Sequence, residues 1–440
     1  MEQNNQSQQD RREVRRKRRQ RNQIVAYMSV IVMIVLLAVG IVSGVKVLTE
    51  KVKTQEEVKQ EQQEQVEELL GEEETLQIPE PTEEPVVELT YEQKMDALIE
   101  ESIINVMPLE DKVAALFVVT PEAITGVSTA VKAGDGTRDA LMKYAVGGLV
   151  YFTKNMQSQE QLKEMIDNTL LYTMYPVFIA VDEEGGSVAR VAEAGIGTKV
   201  DSAQVIGQTL DAANAYQAGS TIGGYLAGLG FNLNFAPVAD LANVENSVMT
   251  GRAYGAEAAT VAPFVNSMLQ GLEEQNVTAC IKHFPGIGSS TQDTHDGLAS
   301  TDRSAEEFRA NEFTVFKSAI DAGADMIMVS HMSAPSLTGD NTPCSLSNIV
   351  VTDILRNELN FQGVIITDAL NMSAISQYYG ADEAAIMALR AGCDMLLMPE
   401  DFETAYNGVI EAVKSGIISE QRIDDSLKKI YRIKYADKIQ

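Results

Sequence analysis

Cysteine is scarce. The 440-residue chain has three, Cys280, Cys344 and Cys393, widely spaced and without a C-x-x-C pair. An odd number without paired spacing argues against a disulfide framework or a thiolate zinc site, and leaves buried apolar thiols. Basic residues are also few: 35 Lys and Arg stand against 63 Asp and Glu, a formal net charge of -28. Nucleic-acid binders carry a basic face, so that class is disfavoured. Two catalytic signatures are missing. No G-x-G-x-x-G follows the first apolar run, where ALFVVT leads into PEAITG, and no H-E-x-x-H occurs. These absences argue against a dinucleotide-binding open sheet and a helix-borne zinc protease. What is present, 45% hydrophobic and 22% charged residues, suits a chain that buries a sizeable core. The eighteen methionines, such as Met326 and Met328, read as core filling.

Charge is unevenly placed. Residues 1–46 carry nine basic and three acidic side chains, whereas residues 47–90 carry three basic and fourteen acidic ones. That pattern predicts a tail, a stalk and a domain. The tail, residues 1–23, contains RREVRRKRRQR. Residues 24–45, IVAYMSVIVMIVLLAVGIVSGV, hold no charge. About 20 apolar residues span a bilayer core of ~30 Å, so a transmembrane helix is expected there. Its basic flank places the N-terminus in the cytoplasm and the rest of the chain outside, as a single-pass protein of the cell membrane. No A-x-A site supports a cleaved signal peptide. Residues 46–90 are rich in Gln, Glu and Pro, without a sustained heptad, and read as a self-repelling acidic stalk.

From Tyr91 to Gln440, short apolar runs alternate with helical patterns. The runs cover residues 115–119, 147–152, 177–182, 233–240, 279–284, 326–331, 363–369 and 395–399. Continuous apolar runs suit parallel strands buried on both faces. Eight strand-helix alternations predict an α/β fold of the (β/α)8 TIM-like barrel type, with a doubly wound open sheet as the alternative. Amphipathic stretches at residues 160–171 and 304–320 are expected helices. Asp182, Asp240, Lys282, His283, His331 and Asp368 fall at the C-terminal ends of the runs. In such a barrel that rim is the active-site face. Asp394 opens a run at the opposite end and reads as structural. Gly185, Gly186, Gly286 and Gly288 are expected to permit tight turns.

The segment Ile281 to Leu298, IKHFPGIGSSTQDTHDGL, is the richest. Asp293 two residues before His295 lets a carboxylate fix an imidazole as general acid or base. Asp368 ends its strand with no acidic neighbour and could serve as a carboxylate nucleophile. Together they would support double displacement at an acetal carbon.

These motifs resemble glycoside hydrolase family 3, in particular its single-domain bacterial β-N-acetylhexosaminidases, the N-acetylglucosaminidases of peptidoglycan. The resemblance rests on VDEEGGSVARV (Val181 to Val191), NFAPVAD (Asn234 to Asp240), GRAYG (Gly251 to Gly255), KHFPGIG (Lys282 to Gly288), DTH (Asp293 to His295), GVIITDALNM (Gly363 to Met372) and AGCDMLLMP (Ala391 to Pro399). It implies that Asp368 is the nucleophile of a retaining reaction and His295 the acid/base, oriented by Asp293. It implies sugar contacts from Asp182, Arg252, Lys282 and His283, with Arg190 matching in a less defined role. No cofactor and no metal are implied, and the partner is a glycan. An extracytoplasmic domain on a stalk would meet peptidoglycan fragments with terminal N-acetylglucosamine. Glu183, Ser187 and Ile287 depart from the family's usual Gln, Arg and His, and imply an active enzyme with altered aglycone preference or activity. Rival readings are another family 3 β-glycosidase, a catalytically silent glycan receptor, and a metal hydrolase built on His283, Asp293, His295 and Asp296.

Overall fold

A computed structural model describes residues 90–292 and 297–436. The tail, the expected membrane helix at 24–45, nearly all of the stalk, and Asp293 and His295 lie outside the described residues. Among the described residues no helix is long and apolar enough to cross a membrane.

All eight apolar runs form strands of one closed barrel. These are β1 (Phe117–Val119), β2 (Gly148–Val150), β3 (Phe178–Val181), β6 (Leu233–Asn234), β7 (Thr278–Phe284), β8 (Met326–Val329), β9 (Val364–Ala369) and β10 (Met395–Leu397). Their order is β1-β10-β9-β8-β7-β6-β3-β2, and every neighbouring pair is parallel. Closure between β1 and β10, with Phe117 opposite Leu396, excludes the open-sheet alternative. It also removes the free sheet edges that an open sheet would have to protect. Strands such as Met326–Val329 are buried at every position, the burial expected of strands covered by helices outside and side chains within.

The surrounding helices begin where side-chain chemistry caps them. Ser158 accepts from Gln161 N–H to start Gln159–Tyr172, the helix expected at 160–171. The helix expected at 304–320 is two, Ala305–Ala310 and Glu312–Asp321. Asn311 between them leaves helical geometry, with φ -123° and ψ -83°.

One element was not expected. A hairpin, β4 (Glu183–Gly185) with β5 (Val188–Ala189), folds over the rim directly after β3. Gly185 and Gly186 take φ of 93° and 61°, which side-chain-bearing residues rarely adopt, so both permit the turn. Gly288 does not share that reason. A Cβ there would meet the Leu241 carbonyl oxygen at 2.0 Å, so it allows close packing of two loops.

Candidate active site

The C-terminal rim encloses a cavity of about 350 Å³. Asp182, Arg190, Arg252, Lys282, His283 and Asp368, the expected binding residues and nucleophile, all line it. Asp182 follows β3, Lys282 and His283 lie within β7, and Asp368 lies in β9, so the barrel itself converges them.

Lys282 is 2% exposed and holds two carboxylates. Its Nζ donates to Asp182 Oδ1 at 2.6 Å and lies 2.8 Å from Glu184 Oε1. Arg252 grips Glu184 with two parallel bonds, Nε to Oε2 at 3.0 Å and Nη2 to Oε1 at 2.6 Å. Burial opposes ionisation of Glu184, but the adjacent Lys282 and Arg252 charges dominate and bring its pKa down to about 2. Burial disfavours the Lys282 ammonium, yet Asp182 and Glu184 hold its pKa above the usual lysine value. The result is a buried ion network facing the cavity, which fixes long side chains before any ligand arrives.

The sequence alone does not distinguish Glu184 from Glu183, the second and third of three consecutive acids. The hairpin separates them, because successive strand residues point to opposite faces. Glu184 turns into the cavity. Glu183 turns away and accepts from Val191 N–H at 2.7 Å, Ala192 N–H at 2.9 Å and Tyr225 Oη at 2.7 Å. The departure at Glu183 therefore ties the hairpin to the helix Arg190–Glu193 instead of touching a ligand. Ser187 is exposed and Ile287 borders the cavity.

Asp240 organises the next segment. Its Oδ2 accepts from His283 N–H at 3.1 Å and lies 2.7 Å from His283 Nδ1, while its Oδ1 accepts from Ile287 N–H at 2.7 Å. This carboxylate thus anchors both the imidazole and the loop after β7.

Asp368 sits in the cavity wall with its Oδ1 accepting from Ala369 N–H at 2.8 Å. Burial pushes its pKa up, but the neighbouring His283, His331 and Lys282 and the Ala369 N–H push it down further, so it lies below the usual aspartate value. An ionised carboxylate held in a partly dry pocket is chemically suited to nucleophilic attack. His331 does not line the cavity. It stands behind β9, where Nε2 donates to the Ala369 carbonyl at 2.9 Å and Nδ1 meets Ser345 Oγ at 2.7 Å. Among the described residues no three His, Cys, Asp or Glu side chains are grouped as metal ligands.

A family model described as the glycosyl hydrolase family 3 N-terminal domain matches residues 108–433. A β-hexosaminidase of Nitrosomonas eutropha is 34% identical over 266 residues, covering 59% of this chain and 75% of its own. Beta-hexosaminidase A of Pseudoalteromonas piscicida is 29% identical over 326 residues, 67% of this chain and 54% of its own. A solved structure of a family 3 β-N-acetylglucosaminidase from a Paenibacillus species superposes with a TM-score of 0.71 at 34% identity. The match covers 74% of this chain and 62% of that one. The chain thus spans about half of the Pseudoalteromonas relative and under two thirds of the Paenibacillus protein.

Proposed function

The chain belongs to glycosyl hydrolase family 3, and from that premise we propose that it is a membrane-anchored, retaining β-N-acetylglucosaminidase. Its substrates are terminal β-linked N-acetylglucosamine residues of peptidoglycan fragments or related glycans. The observation that carries this reading is the half-buried, ionised Asp368 lining one cavity with the Asp182–Lys282–Glu184–Arg252 network. Such a network offers strong, directional hydrogen bonds to sugar hydroxyls that can tighten in the transition state.

In the first step Asp368 attacks the anomeric carbon, the glycosidic C–O bond breaks, and His295 gives its proton to the leaving oxygen. In the second, water attacks the glycosyl ester while His295 takes the water's proton, which regenerates Asp368 and retains configuration. Asp293 holds the imidazole for both transfers. On this reading the uncharged stretch 24–45 is the membrane anchor and the acidic stretch 46–90 its stalk. The names of the Nitrosomonas and Paenibacillus relatives support the choice of sugar.

The test uses the full-length chain in detergent with an aryl β-N-acetylglucosaminide and, in parallel, an aryl β-glucoside. Turnover of the first alone, abolished in Asp368→Asn, is the expected result. A folded protein that turns over neither between pH 5 and 8 would overturn the assignment and leave a glycan receptor.

A further inference from the structure

Glu183 is fully buried and does not line the cavity. Its backbone is fixed from β6. The N–H donates to Asn234 Oδ1 at 2.9 Å, and the carbonyl accepts from Asn234 Nδ2 at 2.9 Å. Asn234 is fully buried too, so the start of the hairpin cannot shift without breaking both bonds. The Glu183 side chain then reaches forward along the sequence. Oε2 accepts from Val191 N–H, and Oε1 accepts from Ala192 N–H and the Tyr225 hydroxyl. Between these two anchor points lie Glu184 and Arg190, which line the cavity. The Arg190 N–H closes the segment on the Asp182 carbonyl at 3.3 Å. One carboxylate therefore pins both ends of the segment that brings Asp182, Glu184 and Arg190 together.

All three partners of the side chain donate, and two of them are backbone N–H groups that cannot reverse. An acceptor-only carboxylate satisfies them together. An amide does not. Whichever way it turns, its NH₂ group faces the Val191 or the Ala192 N–H. A protonated carboxyl must aim its O–H at a donor, or reverse the bond to Tyr225 and strand that hydroxyl's proton. The titratable and charged groups facing Glu183 are Tyr225, from the helix Ala213–Leu229, and Arg190, at the head of the helix Arg190–Glu193. From β6 comes the uncharged Asn234. Burial pushes the Glu183 pKa above the usual glutamate value, against Tyr225, the two N–H groups and Arg190, which lower it. Asp368 and Glu184 lie below their usual values. As pH falls, Glu183 is thus protonated before either of them.

We propose that Glu183 is a positioning residue, whose charged carboxylate locks the hairpin and so places Asp182, Glu184 and Arg190 around the substrate. The inference rests on the glycosidase reading and adds a residue that acts without touching the sugar. It also gives the Glu in place of the family's usual Gln a task that an amide performs less well. Loss of the charge releases one N–H, lets the turn at Arg190 shift, and loosens the binding side of the cavity. Asp368, on β9, stays where it is.

The experiment follows kcat/KM against pH for an aryl β-N-acetylglucosaminide, using the full-length chain and its Glu183→Gln and Tyr225→Phe variants. In Glu183→Gln the plateau is expected to fall about tenfold, carried by KM. Its acid limb moves to lower pH, because Asp368, with its lowered pKa, then governs that limb. Tyr225→Phe removes a donor that lowers the Glu183 pKa, so its acid limb moves to higher pH. Simple destabilisation would lower both plateaus and leave both limbs in place. Limbs that coincide in all three proteins would overturn the proposal while leaving the glycosidase reading intact. If Glu183→Gln does not fold, the direction of the Tyr225→Phe shift decides alone. A wild type without turnover overturns the glycosidase reading instead. The same pH series is then read as affinity for N-acetylglucosamine by calorimetry. Affinity that fades at higher pH in Tyr225→Phe and at lower pH in Glu183→Gln supports the positioning role. One common pH course, or no binding at all, rejects it.

Discussion

Glu184 is the residue on which the binding network turns. It lies between two cations, and replacing it by Gln leaves the buried Lys282 and the half-buried Arg252 beside a neutral amide. Breaking a buried ion pair costs about 3 kcal/mol, so Glu184→Gln should lose about that much stability at pH 7. Because the folded pKa of Glu184 is depressed to about 2, its contribution is complete above the unfolded carboxylate pKa and is lost as pH falls through about 2. Urea titrations should therefore show a constant gap between wild type and variant above about pH 5, closing toward pH 2. On the proposed reading, kcat/KM for an aryl N-acetylglucosaminide should also fall roughly 30-fold, the rate equivalent of ~2 kcal/mol of misplaced charged hydrogen bonds. A gap that persists at pH 2 would show that the carboxylate charge is not the source. The sequence displays Asp182, Glu183 and Glu184 in a row and offers no way to rank them. Which acids face the cavity depends on the hairpin's strand alternation, and that hairpin depends on contacts with Val200 and Asp201 far beyond a local window.

At the scale of elements, Asp240 ties the segment after β6 to β7. Three N–H groups converge on one carboxylate, and an amide cannot accept from all of them with the same geometry. Asp240→Asn should turn or retautomerise the His283 ring, lowering kcat/KM roughly tenfold, and should cost about 2 kcal/mol for the N–H groups left short of an acceptor. A shift in the pH profile of kcat/KM separates loss of imidazole orientation from simple destabilisation, which would move the melting temperature alone. The eight strands were legible because each is a short continuous apolar run, and burial on both faces leaves that signature whatever the tertiary detail. Their ends were less so. The run at 233–240 pairs as a strand only at Leu233–Asn234, with an isolated bridge from Val238 to Lys282, since its remaining length shapes the rim. The break at Asn311 was invisible to periodicity, because both halves keep apolar residues facing the barrel, as Phe308 and Phe313 stack at 5.8 Å.

At the scale of the whole barrel, one carboxylate at the end opposite the cavity gathers several elements. Asp394 opens β10, and its carboxylate gathers Arg356 Nη2 at 2.7 Å, Lys429 Nζ at 3.2 Å, Ser426 Oγ at 2.7 Å and Ile365 N–H at 3.0 Å. These partners come from the helix before β9, from β9 itself and from the C-terminal helix Glu420–Tyr435. One side chain thus joins the last strand, its neighbour and the final helix, just where β10 must meet β1 to shut the barrel. Burial opposes its charge, but Lys429, Arg356 and Arg422 hold its pKa below the usual aspartate value. Its stabilisation is therefore present above the unfolded carboxylate pKa and fades only as pH drops through that lowered value. Asp394→Asn should lower the urea midpoint by the equivalent of about 3 kcal/mol without changing the denaturant slope, because the same barrel unfolds. Activity per folded molecule should stay at the wild-type level, because no partner of Asp394 lines the rim cavity. A variant that keeps its midpoint but loses turnover would reverse that division, and would mean that the lower face governs the chemistry above it.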